Sequence, residues 1–174
     1  MRITYAAARN IAEQAVEQAP REACGLLAGK GGLISLALPV ANAAAQPEAA
    51  FRLAPTEQLR QLKRIDALGL DCLGAYHSHP KTPPIPSPAD LAGAGDTGLL
   101  QLIVSLASPK PRLKLWRIDG ASALPLELDF AGAPSSDGEA GELTQKQQLI
   151  MLAAGALSLL ALLVIAITLL PPVS

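Results

Sequence analysis

The chain has 174 residues, half of them hydrophobic, with 17% charged, 3% aromatic and a formal net charge of −1. That length suits one compact domain of ordinary size and not two large ones. A balance of 14 basic against 15 acidic residues supplies no polycation for nucleic acid, the aromatics are too few for a base-stacking platform, and two cysteines exclude a disulfide-rich secreted scaffold.

In chain order, propensity predicts a helix over Tyr5–Gln18, closed by Pro20. Apolar runs predict strands over Ala23–Ala28 and Leu33–Val40, joined through Gly29-Lys30-Gly31-Gly32. This glycine-rich stretch lacks the Gly-x-x-x-x-Gly-Lys-Ser/Thr spacing of a phosphate loop and reads as a turn. A short strand is expected at Phe51–Leu53. Pro55 then opens a helix in which Leu59, Leu62, Ile65 and Leu68 recur at helical spacing. Asp71–Tyr76 reads as a strand, followed by a proline-rich loop and a short helix from Pro88. Strands at Gln101–Ala107, Arg112–Ile118 and Leu124–Phe130 complete an α/β domain over residues 1–130, a mixed β-sheet flanked by helices.

Beyond it, residues 131–146 are rich in Gly, Ala, Ser and acids and read as a flexible linker. Lys146 carries the last side-chain charge. From Leu149 to Leu170 the chain is apolar for 22 residues except at Gly155, Ser158 and Thr168. As a helix this run spans about 33 Å, against a hydrocarbon core of roughly 30 Å. The expectation is one transmembrane helix over residues 147–170, ended by Pro171 and Pro172, with a short tail at 171–174. Arg9, Glu13 and Glu17 interrupt the amino-terminal segment, so it does not read as a secretory signal. A tail anchor with the folded domain in the cytoplasm follows.

Both histidines of the chain fall in Ala75-Tyr76-His77-Ser78-His79-Pro80. In extended backbone, residues two apart project to one side, so His77 and His79 can reach one ion, and Pro80 favours extended geometry at His79. The same pair is also compatible with a solvated loop. Downstream, Ser87-Pro88-Ala89-Asp90 is a helix-start pattern of Ser cap, Pro at the first position and an acid at the third. It equally offers Asp90 as a third ligand, and two His with one Asp would leave a fourth zinc position open, as catalytic sites do. Glu22 precedes an apolar strand, where a glutamate normally faces solvent. Cys24 lies two residues on and reads as a small buried hydrophobe, with metal ligand or redox switch as the other readings. Cys72 reads as a core strand residue. Lys110, Arg112, Lys114 and Arg117 around Trp116 read as the solvated side of a strand or a surface for an acidic partner.

The whole pattern, His77-Ser78-His79, seven residues, Ser87 and Asp90, with Glu22 upstream in Glu22-Ala23-Cys24-Gly25-Leu26-Leu27, resembles the JAMM (MPN+) metalloprotease signature in its compact prokaryotic form. Phe51-Arg52-Leu53-Ala54-Pro55 and Gly74-Ala75-Tyr76-His77-Ser78-His79-Pro80 extend the resemblance over residues 1–130; the apolar tail lies outside it. The resemblance implies a JAMM/MPN-like fold with a cytidine-deaminase-like layout, and a zinc metallopeptidase with one Zn2+ per chain. It implies zinc ligation by His77, His79 and Asp90, general-base action by Glu22 and oxyanion stabilisation by Ser87. It implies hydrolysis of a peptide or isopeptide bond, after the Gly-Gly tail of a ubiquitin-like or sulfur-carrier protein. With the anchor, such an enzyme would work at a bacterial inner membrane. The rival reading is a membrane-anchored binding scaffold of the same fold without catalysis.

Overall fold

A computed structural model describes residues 1–94, 100–120 and 122–132. Within them the chain forms β1 (Arg2–Thr4), α1 (Tyr5–Gln18), β2 (Cys24–Lys30), β3 (Leu33–Val40), α2 (Pro55–Ala67), β4 (Asp71–His79), α3 (Pro88–Ala94), β5 (Leu100–Ser105), β6 (Arg112–Asp119), β7 (Ser122–Leu126) and β8 (Asp129–Ala131). The strands make one mixed sheet in the order β7-β6-β5-β4-β2-β3-β1-β8. β1 runs parallel to β3 and β8, and β4 parallel to β5; the other pairs are antiparallel.

Local chemistry accounts for the elements. The Thr4 side chain caps α1 by accepting from the Ala7 amide, and alanines at Ala7, Ala8 and Ala15 with Ile11 give α1 a thin apolar face. Gly31 and Gly32 both take positive φ, 58° and 77°, closing a two-residue β2–β3 hairpin whose turn demands that conformation. Pro55 sits in the first turn of α2 and Gly69, at φ 66°, follows its end.

The sheet has two covered faces. Against α1 pack Ile3, Leu27, Ile34, Tyr76, Leu102, Val104 and Leu115. On the other face Leu26, Leu38 and Val40 pack against Ile65 of α2, and Ile103, Trp116 and Ile118 against Leu91 of α3. β4 runs through the middle of the sheet, so His77 and His79 project onto the second face, between the ground covered by α2 and that covered by α3.

Four expectations need correction. Phe51–Leu53 is not a strand but makes a single bridge, Leu53 to Asn42, because no neighbouring strand extends far enough to pair with it. β4 continues three residues beyond Tyr76, because β5 pairs with it as far as His79 and β2 as far as His77. The run Leu124–Phe130 is two strands at opposite ends of the sheet, and β1 has no counterpart among the predicted strands. Since only Glu127 and Leu128 separate β7 from β8, the sheet must curl until its two ends meet. No helix among the described residues is long and apolar enough to cross a membrane; the Leu149–Leu170 run lies outside the described residues, as do most of the 131–146 linker and the 171–174 tail.

Candidate metal centre

Three of the residues singled out from sequence converge. His77, His79 and Asp90, all buried, offer one ligand atom each within a mutual 4.8 Å. The two imidazole Nε2 atoms are 3.1 Å apart. Asp90 Oδ1 lies 3.4 Å from His77 Nε2, and Asp90 Oδ2 lies 3.4 Å from His79 Nε2. Tetrahedral zinc with bonds of about 2.0–2.1 Å separates neighbouring ligand atoms by about 3.3 Å, close to each of these three spacings.

Strand β4 orients the two imidazoles and α3 the carboxylate. On β4, alternation puts both imidazoles on one face and Ser78 on the other. Ser78 is fully buried; its Oγ accepts from the Ala23 amide at 2.8 Å and its own amide donates to the Ala23 carbonyl at 2.9 Å. His79 Nδ1 lies 2.8 Å from the Pro83 carbonyl. A carbonyl only accepts, so Nδ1 carries the proton and Nε2 keeps its lone pair for a metal. The His77 ring stacks on Phe51 with centroids 4.2 Å apart and planes 14° from parallel. Its Nδ1 has no hydrogen-bond partner among the described residues.

The two readings of the Ser87-Pro88-Ala89-Asp90 pattern do not conflict, because Asp90 both caps a helix start and faces the two imidazoles. Ser87 Oγ accepts from the Asp90 amide at 3.2 Å, and Asp90 Oδ2 accepts from the Ser87 amide at 2.7 Å, a reciprocal cap at the start of α3. The cap fixes the carboxylate so that both its oxygens face the imidazoles. Burial pushes the Asp90 carboxyl up, but hydrogen bonds with His77 and His79 outweigh it and hold the group well below the usual carboxylate range. Burial lowers His77, whereas for His79 the Asp90 and Pro83 contacts overcome burial and raise it.

Glu22 is 7% exposed, not solvent-facing as its position before a strand suggests. Pairing of Cys24 with His77 carries on through Ala23 and Ser78, which places Glu22 across from His79. Burial raises its carboxyl from 4.5 to about 7, tempered by His79 and reinforced by Asp90. Its Oε2 has no hydrogen-bond partner among the described residues, so one oxygen is free to receive a proton or bind an ion's water. It also lines a cleft of about 340 Å³ shared with Gln14, Arg21, Cys24, Asn42 and Glu57.

Cys24 is buried, its thiol donates to the Val40 carbonyl at 3.4 Å, and burial pushes it up to about 12, which leaves it an inert core group. Cys24 and Cys72 are both free. In the basic stretch, Lys114 Nζ stands 4.7 Å from the centroid of the Trp116 ring, and the ring itself is buried.

Residues not singled out from sequence also shape the site. Asn42 Nδ2 donates to the Glu22 and Ala50 carbonyls, both at 3.0 Å, and its Oδ1 accepts from the Ala44 and Arg52 amides. The Glu22 amide donates to the Pro47 carbonyl at 2.7 Å. The 41–52 loop thereby brackets Glu22 on both sides and delivers Phe51 to His77. No local pattern announces this, since Asn42 acts on residues 20 positions upstream and up to 10 downstream.

The profile of the prokaryotic homologs of the JAB domain matches residues 5–119. A desampylase from Haloferax volcanii is 41% identical over 95 residues, which cover 53% of this chain and 68% of that protein. A probable TtuB-protein conjugate cleaving protease from Thermus thermophilus is 38% identical over 79 residues, covering 45% and 53%. A protein of Desulfitobacterium hafniense, solved in solution, superposes with a TM-score of 0.69 at 34% identity over 77% of this chain and 94% of its own. A JAB1/MPN domain protein from Archaeoglobus fulgidus shares the fold, at a TM-score of 0.52 and 20% identity over 75% and 97%. The chain belongs to the prokaryotic homologs of the JAB domain.

Proposed function

We propose that this protein is a zinc-dependent protease that hydrolyses the peptide or isopeptide bond following the Gly-Gly tail of a ubiquitin-like or sulfur-carrier protein. The observation that carries the reading is the buried His77–His79–Asp90 triangle of metal-ligand spacing with the buried carboxyl of Glu22 across from His79. The relatives named desampylase and TtuB-protein conjugate cleaving protease support a protein conjugate as the substrate class.

His77, His79 and Asp90 hold the ion. When bound, zinc supplies Lewis acidity, polarising the scissile carbonyl and acidifying a water. Glu22 would take a proton from the attacking water on its free Oε2 and return it to the leaving amine. The Ser87 hydroxyl accepts from the Asp90 amide, so its proton stays available to donate to the oxygen that gains charge as the carbonyl is attacked. An extended Gly-Gly tail suits a narrow approach because it brings no side chains to the ion.

The Leu149–Leu170 run supports a tail anchor that holds the enzyme at the cytoplasmic face of a bacterial inner membrane, with the linker setting its reach. Fractionation of cells expressing the full chain and a chain ending at residue 146 tests the anchor: the first should pellet with membranes and the second should not. For the activity, Glu22→Gln should abolish cleavage of a Gly-Gly-tailed carrier fusion while zinc content stays at one per chain. Undiminished cleavage by Glu22→Gln removes Glu22 from the mechanism; no cleavage by the parent, zinc bound, favours the scaffold reading.

A further inference from the structure

We propose that Trp116 and Ser105 are positioning residues for the metal centre, acting through the loop between His79 and Ser87; this rests on the zinc reading above. Three consecutive carbonyls of that loop each accept a hydrogen bond from a side chain on one of three adjacent strands. Ser105 Oγ on β5 donates to Thr82 O at 2.6 Å, His79 Nδ1 on β4 to Pro83 O at 2.8 Å, and Trp116 Nε1 on β6 to Pro84 O at 3.0 Å. The central bond fixes the tautomer of a metal ligand; the outer two hold the carbonyl that makes it, one residue away on either side.

The rest of the loop leaves that carbonyl no slack. Pro83 O also accepts from the Ile85 amide at 2.8 Å, so both its lone pairs are engaged. Ser105 Oγ accepts in turn from the Ala107 amide at 3.2 Å, and its β5 position pairs directly with His79 on β4. Prolines at 80, 83, 84 and 86 narrow the backbone further. Trp116 reaches a second ligand as well: its ring belongs to the Ile103–Ile118 cluster against which Leu91 packs, and Leu91 follows Asp90 on α3. One indole therefore braces the His79 acceptor through its N–H and belongs to the cluster on which the Asp90 helix packs. The loop is a fixed wall of the site, with the ligand triangle set before any ion arrives.

The chain contains a single tryptophan, so growth on 3-benzothienylalanine replaces the indole N–H by sulfur at Trp116 alone, with ring shape kept. Zinc affinity of the full chain is measured by competition with a chromophoric chelator, for the parent, the analogue-labelled chain and Ser105→Ala, alongside circular dichroism and urea unfolding of the metal-free forms. Supporting residues around metal ligands are worth 10–100-fold in affinity, so a loss of about tenfold is expected for the analogue and for Ser105→Ala, with kcat falling and KM unchanged. For the analogue, metal-free unfolding should match the parent, which a merely structural role for the N–H would not predict alongside weaker zinc. Zinc affinity and kcat within about twofold of the parent in both forms overturn the proposal while leaving the metal centre intact. A parent that binds no zinc overturns the metal reading, and the positioning role with it. If Ser105→Ala does not fold, the analogue alone decides.

Discussion

Glu22→Gln should stabilise the metal-free protein, and only at high pH. The carboxyl is buried with one oxygen unpartnered, and burial raises it from 4.5 to about 7. Between those values the unfolded chain has released the proton while the folded chain retains it, so raising the pH favours unfolding, and the loss is complete above 7. At about 1.4 kcal/mol per unit, the shift implies on the order of 3 kcal/mol at pH 8.5 and nothing at pH 4. Glutamine, nearly isosteric and uncharged, escapes that cost at pH 8.5 and gains nothing at pH 4, where the wild-type carboxyl is itself neutral. Urea titration of chelator-treated parent and variant at the two pH values reads the difference. With a denaturant slope of about 1–3 kcal/mol/M, the variant's midpoint at pH 8.5 should lie higher by about 1 M or more. A variant equally or less stable than the parent at pH 8.5 would refute the assignment of Glu22 as a carboxyl held in a place unsuited to its charge. The same substitution that disables the proposed base would then strengthen the fold, as expected where a site is shaped for reaction and not for stability.

Other substitutions probe the remaining parts. His77→Ala should reduce zinc from one per chain to none by mass spectrometry, because the triangle loses a vertex that no neighbouring described side chain replaces. Ser87→Ala removes both the α3 cap and the proposed oxyanion donor: unfolding free energy should drop by about 1 kcal/mol, and kcat roughly 100-fold with zinc retained. Gly74→Ala should be far more damaging, since a Cβ there would stand 2.1 Å from the Leu100 carbonyl, a backbone atom of β5. The variant is expected to lose cooperative thermal unfolding, and a normal transition would show that β4 and β5 are not as closely apposed as described.

Helix α1 and strand β3 begin and end where the sequence predicts, because each is specified locally, by alanine-rich propensity between Thr4 and Pro20 and by a leucine-rich apolar run after paired glycines. The convergence of His77, His79 and Asp90 was likewise legible, since i,i+2 alternation on a strand and a helix cap at Ser87 are properties of short segments. What stayed hidden depends on partners distant in sequence. The last residues of β4 are strand because β2 pairs alongside as far as His77 and β5 as far as His79, partners that lie far off in sequence. Leu124–Phe130 reads as one strand because nothing local says that Leu126 faces β6 while Asp129 faces β1. Glu22 reads as a solvent-facing glutamate until the 41–52 loop, tied down by Asn42, closes over its backbone. Trp116, surrounded in sequence by lysines and arginines, reads as part of a charged surface, whereas alternation along β6 turns its ring toward α3 and the proline loop.

The meeting of the sheet's two ends sets the order in which the domain can be finished. Residues 2–4 emerge well before residues 129–131 during synthesis, yet those are their outer neighbour, and the amino group of Met1 donates to the Glu127 carbonyl. Until the ribosome has delivered that last strand, β1 has one exposed side, and the apolar Ile3 beside it is a candidate for pairing with another nascent chain. The seam is also the longest-range contact in the sheet, so it contributes most to slow folding. Completion of the sheet thus waits on residues 129–131.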